Sequence, residues 1–130
     1  MLFRSDDASV AKVRDAMFDP FEYLMLRHRA GKLSTEFRNP LGRVAYHVAC
    51  HQRVQNIGPK TKEILSLVPG TEVDIIERCS GHDGTWAMKK QNFKQSLKWG
   101  SRAFQQMAEG SPQVTCSDCP LAAKIGRAHV

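Results

Sequence analysis

The chain has 130 residues, enough for one hydrophobic core of moderate size and too few for two independent ones. With 42% hydrophobic and 25% charged residues it is neither disordered nor collagen-like. No apolar run approaches the ~20 residues of a membrane-spanning helix, and the start lacks the basic-then-apolar order of a secretory signal, so the cytoplasm is the expected compartment. The net charge of +6 is spread along the chain without an arginine-rich block or a basic tract interleaved with aromatics, which argues against nucleic acid as a partner. Such a surface suits electrostatic steering toward an acidic protein.

From the amino end, Ser9 is placed to cap a helix that carries Val10, Val13 and Met17 on one face. Asp19-Pro20-Phe21-Glu22 then opens a second helix with a capping box and a proline at its first position. Phe21, Leu24, Met25 and Leu26 are its expected buried residues, and Gly31 ends it. Asn39-Pro40-Leu41-Gly42 reads as a turn. From there the pattern alternates. Arg43 to Val48 is predicted as a strand, followed by a polar loop and a helix from Pro59 to Val68 with Ile57, Ile64, Leu65 and Val68 near one face. Pro69-Gly70 stops that helix, and Thr71 to Arg78 is a second strand built on Val73, Ile75 and Ile76.

A glycine-containing loop leads to a helix beginning near Trp86, with Trp86, Phe93, Leu97, Phe104 and Met107 at helical intervals and a break allowed at Gly100. A short strand at Gln113 to Thr115 follows, and Ser117 or Asp118 is placed to cap a last helix opened by Pro120. The order is βαβαβα behind two amino-terminal helices. It predicts an α/β fold with a small parallel sheet flanked by helices.

The two ends read as foreign to the domain. Ile125-Gly-Arg-Ala-His-Val130 and Leu2-Phe-Arg-Ser5 each match a reading frame of a sequencing-library adapter, so residues 1–5 and 125–130 are expected to be non-native. The expected domain is residues 6–124, a fragment of a longer protein. Gly58-Pro59-Lys60-Thr61 lacks the first glycine of a phosphate loop, and no serine, histidine and acid arrangement points to hydrolysis.

The chemistry lies with four cysteines. Cys50 follows the first predicted strand, Cys79 the second, and Cys116 with Cys119 the third, at intervals of 28, 36 and 2 residues. A parallel sheet sets all its strand carboxyl ends on one edge, so the four thiols are expected to meet there. Without an export signal they are better read as metal ligands or redox groups than as structural disulfides. Thiolates are the ligands that iron–sulfur clusters require. Gly81 and Gly84 let the backbone approach Cys79 closely, with amides able to donate to sulfur. His51 and His82 stand beside the cysteine loops, which keeps open a structural zinc domain of mixed cysteine and histidine ligation that mediates protein interaction. A metal-free thiol–disulfide exchange module is the third reading. His47 is expected to be an ordinary surface polar residue.

The segments Tyr46-His47-Val48-Ala49-Cys50-His51, Glu77-Arg78-Cys79-Ser80-Gly81-His82-Asp83-Gly84-Thr85-Trp86 and Cys116-Ser117-Asp118-Cys119-Pro120 resemble the cysteine-rich CCG-domain family. The likeness is to the carboxy-terminal domain of iron–sulfur oxidoreductases related to the B subunit of heterodisulfide reductase and the C subunit of anaerobic glycerol-3-phosphate dehydrogenase. By that resemblance Cys50, Cys79, Cys116 and Cys119 are metal ligands. They suffice for a [4Fe-4S] cluster. Ser80 stands where the family's Cys-Cys-Gly has its second cysteine and Gly81 supplies the glycine, so both belong to the cofactor loop, Ser80 either as a harder oxygen ligand or, the preferred reading, as a non-ligating hydrogen-bond partner of sulfur. The resemblance further implies electron relay between a dehydrogenase or ferredoxin module and a quinone or disulfide acceptor. The implied partners are other iron–sulfur or flavin modules of the same oxidoreductase, with peripheral membrane association arising through a partner.

Overall fold

The computed structural model describes residues 7–122, and the two end runs read as non-native lie outside the described residues. The chain divides into two compact units, residues 1–34 and 35–130.

The first unit holds helices α1 (Ala8–Asp15) and α2 (Pro20–Arg29). The cap of α1 is Asp7 rather than Ser9: its carboxylate accepts from the Ser9 backbone N–H at 2.7 Å. A charged acceptor at the positive end of a helix is favoured over a hydroxyl, which moves the helix start two residues back. Val13 and Met17 of the expected apolar face are exposed. In α2 the expected start holds: Asp19 accepts from Phe21 N at 2.9 Å, and Pro20 takes the first position. Met25 is buried, whereas Leu26 is exposed.

The second unit contains β1 (Gly42–His47), α3 (Cys50–Gln55), α4 (Lys60–Leu65), β2 (Thr71–Ile76), a 3-10 turn at Lys90–Asn92, α5 (Phe93–Ala108) and β3 (Val114–Ser117). Helix resumes at Pro120 and is described as far as Ala122. The three strands form a parallel sheet in the order β2-β1-β3. The fold is therefore α/β with a small parallel sheet flanked by helices, as the alternation predicts.

Central β1 has partners on both sides, and its alternate residues build two different faces. Val44, Tyr46 and Val48 pack with Val73 to form the core, joined by Leu41, Leu65, Ile75, Val114 and Cys116. Ala45 and His47, also buried, point to the other face.

Three local expectations fail for tertiary reasons. The predicted polar loop after β1 contains α3, a helix of Cys-His-Gln-Arg-Val-Gln with no apolar stripe of its own. Trp86 sits in a turn before α5 and stacks on Trp99 within it, ring centres 5.2 Å apart. Gly100 does not break α5, which runs 16 residues without interruption. A Cβ there would lie 2.4 Å from the Ser80 carbonyl oxygen, so glycine lets the loop after β2 press against the helix.

Candidate metal centre

Because the strands are parallel, the loops leaving β1, β2 and β3 emerge on the same edge of the sheet. Cys50 is the first residue of α3, three residues beyond the end of β1. Cys79 lies three residues beyond β2, and Cys119 two beyond β3. Cys116 is inside β3, paired with Tyr46 of β1, rather than in the loop after the strand.

All four cysteines are free; Cys50 and Cys79 are exposed, Cys116 and Cys119 partly buried. The topology brings them to one edge but the side chains do not close on one point. Among the described residues, no group of three or more His, Cys, Asp and Glu side chains is gathered tightly enough to hold a metal ion. Burial, and then the nearby Asp118 charge, push the Cys116 thiol up to about 11, so it carries its proton at neutral pH.

The loop carrying Cys79 is the most constrained part of the edge. Gly81 N–H donates to Cys79 Sγ at 3.3 Å, the contact by which a backbone tunes a ligating thiolate. Gly81 has φ +76°, and a Cβ on it would fall 2.0 Å from the Ser96 carbonyl oxygen of α5. Ser96 Oγ in turn donates to the Gly81 carbonyl at 2.7 Å. Ser80 is buried between these anchors, 7% exposed, its carbonyl against Gly100. His82 Nδ1 is buried and has no hydrogen-bond partner. His51 is exposed.

Two adjacent residues at the end of β1 organise the rest, and both were underrated by the sequence. Tyr46 is 1% exposed, and its hydroxyl lies 2.6 Å from Asp118 Oδ2 and 2.8 Å from Gln52 Oε1 of α3. Thr61 Oγ1 of α4 donates to the same Asp118 oxygen at 2.7 Å. Burial, followed by the Asp118 hydrogen bond, holds the phenol in its protonated form far above the usual range. Asp118 is thus a partly buried acceptor shared by Tyr46 and Thr61. Ser117, the other capping candidate, accepts from Cys119 N–H at 3.2 Å.

His47 corrects the surface expectation: it is 3% exposed. Its Nε2 lies 2.7 Å from the Arg78 carbonyl oxygen and its Nδ1 3.0 Å from Ser117 Oγ. A carbonyl can only accept, so in the neutral ring Nε2 carries the proton and Nδ1 accepts from the serine. The available sequence signal was position alone: a tyrosine and a histidine end a strand immediately before a cysteine loop, where one of each pair must point inward.

The donor chemistry suits a thiophilic metal group. Four thiols share one edge, a backbone amide already donates to sulfur, and an orphaned imidazole nitrogen lies in the same loop. Cys50 and Cys79, being exposed, can change rotamer without disturbing the core.

Fold and site together define a small α/β domain with a thiol-bearing sheet edge. The chain belongs to the CCG cysteine-rich domain family, which matches residues 44–122, a stretch that includes all four cysteines. It is similar to the C subunit of anaerobic glycerol-3-phosphate dehydrogenase from Escherichia coli strain K12 and from Escherichia coli O157:H7, with 32% identity to each over 78 residues. The alignment takes in 59% of this chain and 20% of each relative, so the chain spans about a fifth of the length of the curated relatives it matches. No solved structure matches it.

Proposed function

We propose that the chain is an iron–sulfur electron-transfer domain of a larger oxidoreductase, with Cys50, Cys79, Cys116 and Cys119 as ligands to a [4Fe-4S] cluster. The observation that carries this is the delivery of four free thiols to one sheet edge by three parallel strands, in a member of the cysteine-rich family. A bound cluster supplies one-electron transfer. The protein's contribution is to hold it and tune it through donors such as Gly81 N–H.

Ser80 is a supporting residue here. Its burial against α5 supports a role in loop packing, and the left-handed backbone of Gly81 suits the approach of its amide to Cys79. The domain proper is residues 6–124. Its partners are flavin or iron–sulfur modules of the same enzyme, with a quinone or disulfide as the terminal acceptor, as the similarity to a dehydrogenase component supports. No helix among the described residues is long and apolar enough to cross a membrane. A cytoplasmic location, with any membrane contact made through a partner, fits that reading.

Anaerobic reconstitution with ferrous iron and sulfide tests it. The expected product is brown, with broad visible absorption and about four irons per chain, as a four-cysteine ligand set implies. Cys79→Ala and Cys119→Ala each abolish assembly and Ser80→Ala retains it. A colourless protein that instead retains one zinc per chain would identify the structural zinc domain, the reading that the unpartnered His82 Nδ1 favours.

A further inference from the structure

Cys116 and Cys119 enclose two residues, Ser117 and Asp118, and β1 ends in two residues, Tyr46 and His47. The register sets Tyr46 beside Cys116 and His47 beside Ser117. Because successive strand residues face opposite ways, the two pairs form separate connections on the two faces of the sheet. On one face, Asp118 receives the Tyr46 hydroxyl, which also touches Gln52 of the helix that Cys50 begins. On the other, Ser117 bonds His47, whose second nitrogen holds the Arg78 carbonyl, one peptide bond from Cys79. The Cys116–Cys119 loop is thereby tied to the Cys50 element through one face and to the Cys79 loop through the other.

We propose that Tyr46 and His47, acting through Asp118 and Ser117, are positioning residues that fix the spacing of the cysteine-bearing loops before any metal is bound. The proposal rests on the ligand set given above. It explains why polar side chains are buried at the end of a central strand where apolar ones would pack at lower desolvation cost. Each connection is also fully directional. His47 Nε2 donates to a carbonyl, Ser117 donates to Nδ1, and the Ser117 oxygen accepts from the Cys119 amide, which leaves that oxygen tied on both sides.

The test uses the full 130-residue chain, metal-free, with amide exchange read residue by residue. His47→Leu is expected to speed exchange at residues 79–81 and 119 by about tenfold or more while leaving α3 unchanged. Tyr46→Phe is expected to do the reverse, loosening α3 and Asp118 but not residues 79–81. Ser117→Ala stands in for His47→Leu if that variant does not fold. Val44→Ala, a core truncation away from the edge, lowers the melting temperature without this selective pattern.

Cobalt(II) alone, titrated into the same proteins, is expected to bind His47→Leu and Asp118→Ala about 10- to 100-fold more weakly than the parent. Asp118→Asn, which still accepts from Tyr46 and Thr61, restores affinity. Face-independent loosening, or no loosening, overturns the proposal, as does unaltered cobalt affinity in folded variants of a parent that binds it. A parent that takes up no cobalt through thiolate counts against the cluster reading instead, and the exchange pattern then decides the positioning roles by itself.

Discussion

The two ends of the same three strands are built on opposite plans. At the amino edge, neighbouring strands are joined by exposed or backbone contacts: Gln113 bonds the Arg43 amide and carbonyl, and Arg43 pairs with Asp74 at 2.6 Å, both side chains about 40% exposed. At the carboxyl edge, the links between strands and loops are buried side chains, among them Tyr46, His47, Gln52 and Thr61. Water can replace a surface bond at little cost, whereas a buried polar group left unpaired costs ~1–3 kcal/mol. The amino edge therefore tolerates change. The carboxyl edge ties its buried Tyr46 and His47 to specific partners, the pre-ordering a ligand site needs, and leaves His82 Nδ1 unpaired.

That contrast can be attacked where it is strongest. Gly81→Ala places a methyl group against the Ser96 carbonyl at a left-handed backbone position. A loss of about 3 kcal/mol in denaturant unfolding is expected, with failure to assemble a cluster. A variant as stable as the parent would mean that the Cys79 loop is not held by α5.

Thiol reactivity sharpens the comparison within the carboxyl edge itself. With its thiol raised to about 11, Cys116 exposes roughly 100-fold less thiolate at pH 8 than an ordinary cysteine, so in metal-free protein it should be the slow site of alkylation beside Cys50 and Cys79. Mass spectrometry of a timed labelling series checks this. The folded chain also holds that proton more tightly than the unfolded chain. Its stabilising contribution is therefore present below pH 9 and fades as the pH climbs toward about 11.

The smallest effect belongs to the amino edge. Arg43→Ala removes an exposed ion pair and should leave the melting temperature close to the parent's and the labelling pattern unchanged. A marked change in labelling would show that the two edges are coupled after all.

Much of the architecture is legible because its signals are local. β-branched runs bounded by turn residues mark β1 and β2, and Pro112 followed by Gln-Val-Thr marks β3 to within a residue or two. Cysteines placed after such runs then fall on one edge by the geometry of parallel pairing alone. By contrast, α3 is invisible because its helicity is supported by the buried Gln52 contact with Tyr46 and not by an apolar stripe. Gly100 reads as a breaker because sequence cannot show that Ser80 needs the space.

What the amino-acid order determined unaided was the class of fold, the parallel arrangement and the placing of Cys50, Cys79 and Cys119 just beyond strand ends, since hydrophobic periodicity and turn chemistry act over a few residues. What only the tertiary structure decided was the inside of the site: His47 and Tyr46 buried, Asp118 as the acceptor for Tyr46, and Cys116 within a strand. Those outcomes depend on contacts between residues as many as 72 positions apart, and no local preference encodes which distant partner will satisfy a buried polar group.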